Sequence, residues 1–137
     1  MLSIISGILS KFRNGDEEAA FYDLLELPGE QIENLMREFR AEQQSDVRAL
    51  LIKVAWERKE NGVLPFLAEA LTIPDELVWQ QALDGLVAYA SPEVLEILLH
   101  ARARRFPDAS ITAHFRLWLE EAIQQVELEL RAPPSTS

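Results

Sequence analysis

Apolar residues recur along this chain at i, i+1, i+4 and i+5 within segments of about 10 to 16 residues, the spacing of one helical face. One stripe reads Ala20, Leu51, Ala82, Ala113, and the next position reads Phe21, Ile52, Leu83, His114. Leu24, Ala55, Leu86, Leu117 follow, then Leu25, Trp56, Val87, Trp118. The alternate segments keep a register of their own: Ile4, Leu35, Phe66, Ile97; then Ile5, Met36, Leu67, Leu98; then Ile8, Phe39, Ala70, Ala101. Both series repeat every 31 residues. Two stripes holding one period predict a helical repeat in which each helix pair buries its apolar face on the next.

The breaks in the pattern fall at Asn14-Gly15-Asp16, Pro28-Gly29, Ser45-Asp46, Asn61-Gly62, Pro74-Asp75, Ser91-Pro92 and Pro107-Asp108. Ser45, Asp75 and Ser91 suit N-caps, whose side-chain oxygens accept bonds from free amides of the first turn. Pro92 suits the first helical position, where no amide donor is needed. The expected fold is all-α: a short right-handed α-solenoid of antiparallel helix pairs, about seven or eight helices in all. It forms one domain over residues 1–131, with capping helices at 1–13 and 109–131, followed by a disordered tail at 132–137.

The stretch from Val63 to Leu71 (VLPFLAEAL), then Pro74-Asp75, then Val78, Ala82 and Leu86, resembles a HEAT repeat. In that family a helix with an L-P-x-L core leads through a Pro/Asp turn into a second helix with a V…A…L pattern. Ser45-Asp46-Val47-Arg48, ahead of Leu51 and Ala55, is similar to the same junction one repeat earlier. Two features depart from the family pattern: Trp79 stands where Arg48 stands a repeat before, and the turn after Phe39 lacks a Pro. The resemblance implies that the second helices of the pairs line a concave side. It also implies a scaffold, adaptor or inhibitor, among which a fold does not choose. Some HEAT-like proteins act instead in attaching bilin chromophores, and certain HEAT-like DNA glycosylases carry a basic concave face. Here the dense basic cluster, Arg102, Arg104 and Arg105, falls at a helix C-terminus, where positive charge complements the macrodipole.

Composition narrows the partner. The chain carries 13 basic and 23 acidic residues, a formal net charge of −10. That field repels phosphate backbones and anionic membrane surfaces, so neither nucleic acid nor membrane is expected as a partner, whereas a basic protein is attracted. Charge is also uneven: from Glu60 to Glu96 there are seven acids and no Lys or Arg. With no cysteine, disulfides and thiolate chemistry are absent, which fits a cytoplasmic protein. Met1 to Phe12 is apolar but has neither a basic leader nor a small-residue cleavage site. Its Ile4, Ile5 and Ile8 read as a core-facing cap, in preference to a membrane-surface helix.

No motif for catalysis or cofactor binding stands out, and no cofactor or metal is expected. Glu96 and His100 are spaced as a surface i, i+4 pair, and His114 falls in a core stripe. Glu17-Glu18, Asp75-Glu76 and Glu120-Glu121 are adjacent and diverge by about 100° on a helix, so they are poor acid/base pairs. The residues left for binding are an acidic ridge of Glu33, Glu38, Glu69 and Glu96 and an apolar strip of Leu95 and Leu99, with Leu64 nearby. Trp79 joins them because its repeat partners Glu17 and Arg48 are polar. The expected function is a noncatalytic module that binds a basic protein, of the immunity or inhibitor type. The alternatives are a homo-oligomer that covers its own apolar strip and a chromophore-lyase-like accessory protein.

Overall fold

The computed structural model describes residues 4–59 and 62–131, Glu30 by its backbone alone. Among them are eight α-helices and no strand. These are α1 (Ile4–Arg13), α2 (Glu17–Leu25), α3 (Ile32–Ala41), α4 (Ser45–Glu57), α5 (Val63–Ala70), α6 (Glu76–Tyr89), α7 (Pro92–Ala101) and α8 (Ala109–Arg131), with one 3₁₀ turn, Gly29–Gln31, ahead of α3. The expected tail at 132–137, and Glu60 and Asn61 of the acid-only stretch, lie outside the described residues. No helix described is long and apolar enough to cross a membrane.

Two of the three expected N-caps form. Asp75 accepts from the Leu77 amide at 3.1 Å, and Ser91 from the Val94 amide at 3.2 Å. Ser45 is instead the first residue of α4, and its hydroxyl donates to the Asp75 carboxylate. The hydroxyl thus braces two successive turns rather than its own helix.

The even-numbered helices pack in succession, α2 on α4, α4 on α6 and α6 on α8. Of the others, α1 packs on α2 and α3, α3 on α4, α5 on α4 and α6, and α7 on α6 and α8. The core follows the sequence stripes through most of the chain. Ala20, Leu51 and Ala82 are buried, as are Leu24, Ala55 and Leu86, and Ile8, Phe39, Ala70 and Ala101. At the N-terminal end Ile5, Ile8 and Leu9 enter the core, whereas Ile4 is exposed.

The stripe fails in α8. Ala113, His114, Leu117 and Trp118, the expected continuation, are solvent-exposed, and Phe115, Leu119, Ala122, Ile123 and Val126 are buried in their place. The cause is local. Helix α6 starts 31 residues after α4, but α8 starts 33 after α6, because the connection at 102–108 is two residues longer than the one at 71–75. Two residues turn a helix by about 200°, so the 31-residue column swings to the outside. The longer connection is pinned by Phe106, which is buried and whose amide donates to Thr112 Oγ1 at 2.8 Å.

Two contacts fix how successive even helices sit. Gly85 of α6 lies against Trp56 of α4, and a β-carbon built there would fall 2.6 Å from Trp56 Cγ. Only glycine permits that approach. The second contact recurs. Arg58, at the end of α4, donates to the Leu24 and Leu25 carbonyls at the end of α2, at 2.9 and 3.1 Å. Tyr89, 31 residues later, donates to the Trp56 carbonyl at 3.0 Å, and Trp56 stands 31 residues after Leu25. The end of one even-numbered helix is thus braced by a side chain from the end of the next.

Candidate partner-binding groove

Helix α5 is eight residues long and packs on α4 and α6, which leaves a groove between it and α7. The groove has a volume of about 460 Å³ and is lined by Ala68, Leu71, Glu93, Glu96, Ile97, His100, Ala101 and Arg104. Its floor is apolar, with Leu71 and Ala101 buried and Ile97 half-buried. Small side chains at Ala68 and Ala101 leave the space open. Its rim is charged: Glu93, Glu96, His100 and Arg104 are exposed and follow one another at three- and four-residue spacings along α7 and the turn beyond it. The rim therefore runs from acidic at the start of α7 to basic past its end.

The sequence-derived candidates do not share one surface. Glu96 lies on this rim. Glu69 does not contribute free charge, because Arg40 of α3 grips it with two bonds of 2.8 Å. That grip holds the Glu69 carboxyl below the usual carboxylate range. Glu38 accepts from Ser6 of α1 at 3.3 Å, so it ties two helices together. Glu33 is exposed on α3. Leu95 and Leu99 fall on the flank of α7 away from the groove. Leu95 is half-buried against the core, and Leu99 is 40% exposed.

Trp79 is wholly buried and offers no surface to a partner. Its ring meets Phe115 at 5.3 Å, His114 at 5.8 Å and Trp118 at 6.4 Å between centroids, all edge-on. Its polar repeat partners leave open an outward contact residue or one packed over a neighbouring helix, and the second is what is found, with the rotated face of α8 covering it. His114 in turn is not a core residue. Its Nδ1 lies 3.2 Å from the Glu76 carboxylate, and its Nε2 accepts from the Trp118 indole at 3.1 Å.

The basic cluster divides by role. Arg102 holds Glu120 of α8 through two bonds of 2.9 and 2.8 Å, whereas Arg104 belongs to the groove. Arg104 was hidden in the sequence because a positive charge at a helix end already has an explanation. A second concavity, of about 260 Å³, lies between α6 and α8 and is lined by Leu83, Asp84, Val87, Trp118, Glu121, Ala122 and Gln125. Asp84 is an exposed residue, but its carboxyl is crowded by these walls, and the loss of water raises its pKa.

Comparison of the chain with protein-family models, with curated proteins and with solved structures finds no match. Among the described residues no cluster of three His, Asp or Glu side chains is placed to hold a metal ion. Glu96 and His100 share the rim without a hydrogen bond or ion pair between them. The groove offers an apolar floor, two carboxylates at one end and a guanidinium at the other.

Proposed function

We propose that this chain is a noncatalytic protein-interaction module that binds a basic partner across the α5–α7 groove. In this reading it is a short right-handed α-solenoid of HEAT type, built from antiparallel helix pairs and acting in the cytoplasm. One observation carries the assignment of the surface. Glu93 and Glu96 have no ion-pair partner among the described residues and border an apolar floor, while Glu69 and Glu38 of the same acidic series are already engaged. Open carboxylates beside buried apolar area are the combination that steers and then holds a cationic partner. The net charge of −10 adds long-range attraction of the same sign. A small acidic protein of this kind suits an immunity or inhibitor role, in which it occludes a basic domain by charge complementarity.

The test is capture of partners from the native host at low and high salt, with the parent chain and with the double variant Glu93→Lys, Glu96→Lys. A specific partner should be retained by the parent at low salt, be released as salt rises, and be lost with the double variant. Retention that ignores both salt and the charge reversal would sink the electrostatic assignment.

A further inference from the structure

The two most exposed large apolar side chains among the described residues are on one helix: Leu117, 72% exposed, and Leu128, 67%. Both lie on the face of α8 opposite the buried Phe115, Leu119, Ile123 and Val126. Between them on that face come Glu121 and Gln124, so the stripe Leu117, Glu121, Gln124, Leu128 has spacings of four, three and four residues. That is the spacing of a helix-pairing seam. The stripe also reads the same in reverse about the point between Ala122 and Ile123, apart from the exchange of Glu121 for Gln124.

We propose that this face of α8 pairs antiparallel with α8 of a second copy of the chain, Leu117 of each copy packing on Leu128 of the other. The antiparallel sense follows from charge. A parallel pair would set Glu121 against Glu121, which is repulsive. The antiparallel pair sets Glu121 against Gln124, whose amide N–H groups donate to the carboxylate. The flanks agree. On one side Trp118 and Gln125 are uncharged. On the other, Glu120 is held by Arg102 at 2.8 Å and Glu127 by Arg131 at 3.8 Å, so each acid brings its own counter-charge. With two leucine anchors per copy the interface is small, and the association weak, with a Kd on the order of 100 μM.

This surface is independent of the α5–α7 groove, and salt separates the two. Each copy carries −10, so self-association is opposed by repulsion and tightens as salt rises, the reverse of binding a basic partner. Sedimentation equilibrium of the full chain from about 10 μM to about 1 mM should show mass climbing toward twice the monomer, more completely at high salt. The double variant Leu117→Glu, Leu128→Glu should stay monomeric with an unchanged helical circular-dichroism spectrum, since both side chains already face water. The chain has no cysteine, so single thiols report geometry cleanly. A mixture of Leu117→Cys and Leu128→Cys chains should oxidise to the mixed dimer in preference to either homodimer. A parent chain that remains monomeric at the highest concentration in high salt overturns the proposal, as does a 117–117 cross-link forming as readily as the mixed one.

Discussion

The packing of α4 on α6 and that of α6 on α8 solve the same problem with different parts. In the first, a tryptophan of the earlier helix, Trp56, fits over a glycine of the later one, Gly85. In the second, Trp79 of the earlier helix is enclosed by three rings of the later one, His114, Phe115 and Trp118. The first junction keeps the 31-residue register and the second runs at 33. A helical repeat therefore tolerates a change of register at its last step, provided the rotated helix still brings a continuous apolar face. Helix α8 does so with Phe115, Leu119, Ala122, Ile123 and Val126. What it gives up is the outer column, where Leu117 reaches water.

That contrast can be broken most severely at Trp79. Trp79→Ala empties the second junction and should cost about 3–5 kcal/mol, read from denaturant unfolding, while Leu117→Ala at low protein concentration should cost less than about 0.5 kcal/mol. Equal losses would mean that the 31-residue register holds in α8 after all. The first junction is probed by Gly85→Ala. The added methyl meets the root of the Trp56 ring, which cannot swing aside, so a loss of about 1–3 kcal/mol is expected by the same measurement.

The acids of the two regions sharpen the comparison at smaller amplitude. Hydrogen bonds from Arg40 and Arg102 hold Glu69 and Glu120 below their ordinary carboxyl value of 4.5. Their contribution is complete above that value and is lost as pH falls through the lowered one. Melting temperature should thus decline with acidification, and less steeply in Glu120→Gln. Asp84 has the opposite sign: burial raises its pKa, so its ionised form weighs against the fold at neutral pH and relaxes on protonation. Asp84→Asn should raise the melting temperature slightly at pH 7 and lose that advantage in acid.

The helical class and most of the core positions could be read from the apolar spacing, because periodicity alone fixes which face of a helix is apolar. Ala20, Leu51 and Ala82 show this, and so do Ile5 and Ile8 of α1, though not Ile4. The rotation of α8 could not be read that way. It depends on a connection two residues longer, and an alignment at constant offset absorbs such a difference silently. A better signal was present in Phe115, Leu119, Ala122 and Val126, which form a helical stripe of their own. The groove was legible only through Glu96. Its walls depend on the gap between α5 and α7 and on the small size of Ala68 and Ala101, neither of which carries chemical character. The pairing of Arg40 with Glu69 dissolved the predicted ridge, since facing helices bring a cation from 29 residues away.

The bracing of helix ends by the following repeat has a consequence for how the protein is made. Arg58 gives the Leu24 and Leu25 carbonyls a side-chain donor and Tyr89 gives one to that of Trp56, while the Leu24 and Trp56 carbonyls also accept from the Leu27 and Lys59 amides of their own turns at 3.4 and 3.3 Å. As the chain leaves the ribosome, α2 and α4 are thus each synthesised before the side chain that braces their ends. Helix α2 must wait for more than thirty residues of further synthesis, and α4 for a similar length beyond its own end. The braces on the ends of α2 and α4 accordingly form only after about one further repeat has emerged.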